Sequence, residues 1–183
     1  MKLNDQAQNG ATIADAYVSV YRKVNSLIAS DNKQYDYILL EGGCNDIHQS
    51  VPLGDITDED YDVTNCDITT VCGALETIIF NLRTKWPQSN IIFITVHKMA
   101  SRNWSRQVSY WDKILKVCDK WSIPVVDIFK EGQISSYIPA LATTCFPTSQ
   151  ESPTGYDRTH PNELGYKNFY CPLIESKMKE LNR

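Results

Sequence analysis

The sequence has no run of lysine or arginine, no Cys-x-x-Cys pair and no long hydrophobic segment. Its 18 Lys and Arg face 22 Asp and Glu, for a net charge of −4. With that balance and no basic cluster, nothing is present to neutralise a phosphate backbone, which argues against nucleic acid as a partner. The longest apolar stretches, such as residues 91–96, fall far short of the roughly 20 residues that a membrane-spanning helix needs. The scattered six cysteines exclude a zinc ribbon and a thioredoxin-type redox site. Cys66 and Cys72 lie in one polar loop and can pair in an oxidising compartment, while the other four sit in apolar patterns as small hydrophobes. Residues 1–10 are polar and lack an apolar h-region, so no signal peptide is expected, and the compartment stays open. Repeats, low-complexity tracts and Pro/Ser linkers are also lacking, so residues 1–183 are expected to form one domain.

Three short runs rich in aliphatic residues are present, at residues 37–40, 91–96 and 124–128. Continuous hydrophobicity of this kind is what strands covered on both faces require. Between them the apolar spacing turns helical. Ile13, Ala16, Tyr17, Val20 and Val24 share one stripe; Val71, Leu75, Ile78 and Leu82 mark a second helix that Pro87 stops; Val108, Trp111, Leu115 and Cys118 mark a third. Residues 161–181 form a fourth, kinked at Pro172. Helices alternating with strands predict an α/β domain of three layers, a parallel sheet between helices.

In such sheets functional groups gather where strands end at their carboxyl edge. The segment after the first run is Glu41-Gly-Gly-Cys-Asn-Asp46, the second ends at His97, and the third leads through a long loop to Asp157-Arg-Thr-His160. An Asp three residues before a His, in a turn entering a helix, can accept from the imidazole Nδ1–H and leave Nε2 as a base. A turn-closing Asp with a neighbouring His accounts for the same pair. Asn45 can offer its amide to an oxyanion, or simply close an Asx turn. Gly10 can present a backbone N–H at a helix start, or be a plain helix entrance. Asp46, His48, Asp157 and His160 can together surround a cation, but that reading leaves Asn45 and the order of the segments unexplained.

Taken in order, these segments resemble the SGNH (GDSL-type) hydrolase family. That family is marked by a Gly-Asp-Ser carrying the nucleophile, a Gly in the second block, Gly-x-Asn-Asp in the third and Asp-x-x-His in the last. Gly10 looks like the second block, Gly43-Cys44-Asn45-Asp46 matches the third and Asp157-Arg158-Thr159-His160 the last. The resemblance implies a flavodoxin-like α/β/α fold with strand order 2-1-3-4-5. It implies an esterase without a cofactor in which Asp157 orients His160, His160 is the general base, and Asn45 with the Gly10 amide holds the oxyanion. Its substrate would be a small ester or an acetylated carbohydrate, with His97 and Tyr156 lining the pocket.

No Gly-Asp-Ser occurs in these residues. Measured against the family, the first strand and its serine are expected to be missing, leaving the chain inactive alone. The run at residues 37–40 would then have an open apolar edge, prone to pair with another chain and build a homo-oligomer. The second reading is a non-catalytic relative that binds a carbohydrate or another subunit through the same crevice.

Overall fold

The structure, a computed structural model, describes residues 3–58, 61–147 and 155–182. The three apolar runs become a parallel sheet of Tyr37–Glu41 (β1), Asn90–Ile94 (β2) and Val125–Val126 (β3), in the order β1-β2-β3. β1 lies against β2 with Tyr37 opposite Asn90 and Glu41 opposite Ile94, and β3 joins at Phe93 and Ile94. Side chains alternate along β2, so Ile91 and Phe93 enter one core cluster while Ile92 and Ile94 enter another on the opposite face. Both faces are buried, which is why this strand reads as unbroken hydrophobicity.

The first cluster is closed by Val20–Ser30 (α1), Val71–Lys85 (α3) and Trp104–Lys120 (α4). Each begins where a side chain takes up a first-turn N–H: Ser19 accepts from Arg22, Thr70 from Gly73 and Asn103 from Arg106. The second cluster is closed by Pro139–Cys145 (α6) and Cys171–Leu181 (α8). Two short helices, Cys44–Gln49 (α2) and Ile128–Glu131 (α5), follow β1 and β3. The layers are those predicted.

Three boundaries differ from the sequence expectation. The first helix starts at Val20, because the N–H groups of Ile13 and Ala14 are taken by the Asp46 carboxylate instead of a helical turn. β3 has only two residues, since Asp127 accepts from Lys130 N–H and turns the chain into α5. The C-terminal helix is divided into Glu163–Gly165 (α7), a π-helix at Tyr166–Tyr170, and α8. Pro172 has no N–H to donate, and the wider turn absorbs the mismatch just ahead of it.

Among the described residues no strand pairs with the free side of β1. Leu39 in its middle is 42% exposed, so this run is less completely covered than β2. All six cysteines are free thiols, Cys66 and Cys72 included. No helix among the described residues is long and apolar enough to cross a membrane.

Candidate active site

Two glycines shape the turn after β1. Gly43 has φ +107°, a conformation that side chains disfavour, and a Cβ on Gly42 would lie 2.6 Å from Ile13 Cγ1. The close approach seats residues 10–14 against the start of α2. There the buried Asp46 carboxylate accepts from Ile13 N–H at 3.0 and 2.9 Å and from Ala14 N–H at 3.2 Å. Burial pushes this carboxyl up, and the N–H donors work against that. Asn45 Nδ2 donates to Ala11 O at 2.9 Å. Asn45 and the Gly10 turn are therefore in contact, and one of the two amide N–H groups of Asn45 is fixed by the segment carrying Gly10.

The second half is the turn before α7. The Asp157 carboxylate accepts from Thr159 N–H at 3.0 Å and His160 N–H at 2.9 Å, and lies 3.0 and 3.1 Å from His160 Nδ1. A carboxylate held by N–H donors only accepts, so Nδ1 is the nitrogen that donates to it and Nε2 is the one left for acid–base work. The Asp157 side chain is 3% exposed and that of His160 57%, which buries the orienting group and presents the imidazole. Ser101 Oγ meets Thr159 Oγ1 at 2.6 Å, and Ser136 Oγ donates to Arg158 O at 2.6 Å, tying the turn to the loops after β2 and α5.

Both halves touch the segment that follows β2. Met99 Sδ is 3.5 Å from Cys44 Sγ on the Asn45 side, while Ser101 meets the His160 turn. Burial raises the Cys44 thiol, and the adjacent Arg102 guanidinium offsets part of that. The two halves thus stand at the same carboxyl end of the sheet.

His97 is buried in the second core layer and not on an open wall. It is 3% exposed, packs 5.0 Å from the Phe146 ring centroid, and has Nδ1 2.8 Å from the Tyr170 hydroxyl. Burial, followed by the charge of His160, pushes its pKa down to about 3, with Asp157 and the Thr159 backbone opposing. Tyr156 is 42% exposed and its hydroxyl accepts from Thr143 Oγ1 at 3.1 Å. The Asp46 carboxylate faces Ile13 and Ala14, and His48 is exposed on α2. Among the described residues no group of three or more His, Cys, Asp or Glu side chains is placed to hold a metal ion.

Three neighbours escaped the sequence reading. Glu41 ends β1 with solvent on its outer side, yet enough protein surrounds the carboxyl that burial pushes it up to about 7. Tyr170 reaches His97 only because of the π-turn, which no local motif announces. Arg102 carries no spacing signal either.

The GDSL-like Lipase/Acylhydrolase family model matches residues 2–167. A crystal structure of a protein from Lactobacillus plantarum is 25% identical with a TM-score of 0.75, covering 93% of this chain and 77% of that one. A GDSL-like lipase from Bacteroides ovatus is 19% identical with a TM-score of 0.57, covering 93% and 68%. Phospholipase A1 from Streptomyces albidoflavus is 15% identical with a TM-score of 0.54, covering 84% and 75%. No curated protein sequence matches the chain. The family match over most of its length, joined to the shared fold, makes this chain a member of the GDSL-like lipase/acylhydrolase family.

Proposed function

We propose that the chain supplies the base and oxyanion half of a serine ester hydrolase acting on a small acyl ester or a carbohydrate O-acetyl ester. The Asp157–His160 pair carries this reading, because its carboxylate is buried, held by two backbone N–H groups and aimed at Nδ1 of an exposed imidazole. In the proposed reaction a serine hydroxyl attacks the ester carbonyl and His160 Nε2 takes its proton. The second N–H of Asn45 and the Gly10 amide hold the oxyanion, the alcohol leaves with the proton from His160, and water then releases the acid. The serine is assigned to a strand that pairs with the open edge of β1, which would place it at the carboxyl end of the sheet with both halves. On this reading the three-stranded parallel sheet is the part of a flavodoxin-like sheet that β1, β2 and β3 supply.

The lack of any Gly-Asp-Ser supports a second reading, a non-catalytic relative that binds a carbohydrate or a subunit in the same crevice. The coding region preceding residue 1 separates the two. An in-frame Gly-Asp-Ser after an apolar strand, in a product that hydrolyses nitrophenyl acetate until His160→Ala removes the activity, supports the enzyme. A stop codon there supports the binding protein. Turnover by the 183 residues alone, abolished by His160→Ala, overturns the placement of the nucleophile outside them.

A further inference from the structure

The turn that carries Asp157 and His160 holds a conformation its own residues disfavour. Arg158, between them, has φ +62°, in the left-handed region where a side chain is strained. Such a residue persists only where contacts from outside the turn hold it. Ser136 Oγ donates to Arg158 O at 2.6 Å, and Ser101 Oγ meets Thr159 Oγ1 at 2.6 Å. Thr159 N–H is taken by the Asp157 carboxylate. What remains of Thr159, a buried residue, is its carbonyl, and the Thr159 backbone favours a proton on the ring of His97.

The protons of His97 and Tyr170 can be counted. His97 is buried and neutral, so its ring carries a single N–H. The Tyr170 hydroxyl lies 2.8 Å from Nδ1 and accepts from the His97 backbone N–H at 3.3 Å. With the ring proton on Nδ1, that nitrogen would donate to the hydroxyl. The hydroxyl's own proton would then lack an acceptor in a buried site, and a bare Nε2 would have nothing to offer a carbonyl. With the proton on Nε2, the hydroxyl donates to Nδ1 and an N–H is available to the Thr159 carbonyl. Nε2 is buried and has no full hydrogen bond to another group, so this acceptor is the one it needs.

We propose that His97, with its tautomer set by the Tyr170 hydroxyl, is a positioning residue whose Nε2–H holds the Thr159 carbonyl and through it the left-handed turn that aims Asp157 at His160 Nδ1. The proposal rests on the hydrolase reading only for its effect on catalysis; its effect on the turn belongs to the chain itself.

Long-range proton–nitrogen NMR spectra of the 183-residue chain read the tautomer without any substitution. The expected result is a His97 proton on Nε2, and a proton on Nδ1 overturns the proposal. Two substitutions then separate positioning from packing. His97→Gln carries an amide nitrogen out to the place of Nε2 and keeps a donor for Thr159, whereas His97→Asn reaches only to the place of Nδ1 and loses it. Both remove the ring that packs on Phe146. Amide hydrogen exchange at Thr159 and His160 should be about tenfold or more faster in His97→Asn, yet within about threefold of the parent in His97→Gln. Tyr170→Phe removes one oxygen and should populate the Nδ1–H form of His97; it decides the matter if both His97 variants fail to fold. Equal exchange in the Gln and Asn variants, or a tautomer unmoved in Tyr170→Phe, overturns the proposal.

In the product extended to include a Gly-Asp-Ser, His97→Asn should lower kcat on nitrophenyl acetate by about tenfold with little change in KM, and His97→Gln should recover most of it. The expected exchange pattern without esterase activity in the extended parent removes the hydrolase reading alone. Esterase activity with parental kcat in every variant removes the positioning role alone.

Discussion

Because His97 is buried as a neutral imidazole, it makes the fold sensitive to mild acid. Its folded pKa is pushed down to about 3, against about 6.5 in an unfolded chain. Above pH 6.5 neither state binds the proton and stability is complete. As pH falls below that value the unfolded chain takes up the proton while the folded one does not, so stability drops until the folded pKa is reached. At about 1.36 kcal/mol per pH unit, a fall from about pH 7.5 to about pH 5 removes about 2 kcal/mol, and the whole window about 5 kcal/mol. The substitution His97→Asn keeps a polar atom near Nδ1 for the Tyr170 hydroxyl and removes the titration. At neutral pH it costs about 1–2 kcal/mol of packing against Phe146. Urea unfolding of both proteins at the two pH values isolates the effect, because titrations common to both chains cancel in the double difference. The parent should lose about 2 kcal/mol more than the variant, a midpoint difference near about 1 M urea. A double difference below about 0.5 kcal/mol refutes the burial of a neutral His97.

Glu76 has a 0% exposed side chain and accepts from Thr57 N–H and Oγ1, Lys120 Nζ and Trp121 Nε1, so Glu76→Ala should cost about 3–5 kcal/mol in urea unfolding. Burial would raise that carboxyl, but Lys120, Thr57 and Trp121 outweigh it and hold it low; stability from this group is therefore present above the unfolded pKa and disappears as pH falls below about 4, a limb that Glu76→Gln flattens. Asp46→Ala strands two buried N–H groups, costs about 2–4 kcal/mol, and should speed hydrogen exchange at Ile13 and Ala14. The open edge of β1 leads us to expect the chain alone to be a dimer or larger, or marginally folded, with Leu39→Lys shifting any assembly toward monomer in light scattering; a stable, monodisperse parent monomer removes the edge-pairing reading.

The sequence disclosed whatever repeats with a period. α3 and α4 were legible because their apolar positions, Val71 to Leu82 and Val108 to Cys118, form stripes, while the capping side chains of Thr70 and Asn103 that set their true starts emerged only in the structure. β2 was legible because two cores bury both its faces. Features decided by distant contacts were not: Ile13 fits the helical stripe of α1, but a carboxylate 33 residues later competes for its N–H and wins. Asp157 and His160 meet through local geometry and could be paired on the page, as could Asn45 with the turn that follows a strand. The burial of His97 could not, since it depends on Phe146 and Tyr170 arriving from two later elements.

The wide turn at Tyr166–Tyr170 has a consequence for any shortened version of the chain. A π-turn behaves as an α-helix with one residue too many, and everything beyond it is rotated by roughly 100° relative to an uninterrupted helix. That rotation brings the Tyr170 oxygen over His97, and α8 then continues with Leu173, Ile174 and Met178 against the sheet. Deleting a single residue between Tyr166 and Phe169 would restore a regular coil but leave one of two partners misaligned: the tyrosine would swing off the imidazole, or the apolar stripe of the final helix would turn from the core. The irregularity acts as a spacer that lets one helix satisfy the buried His97 and the second hydrophobic layer together.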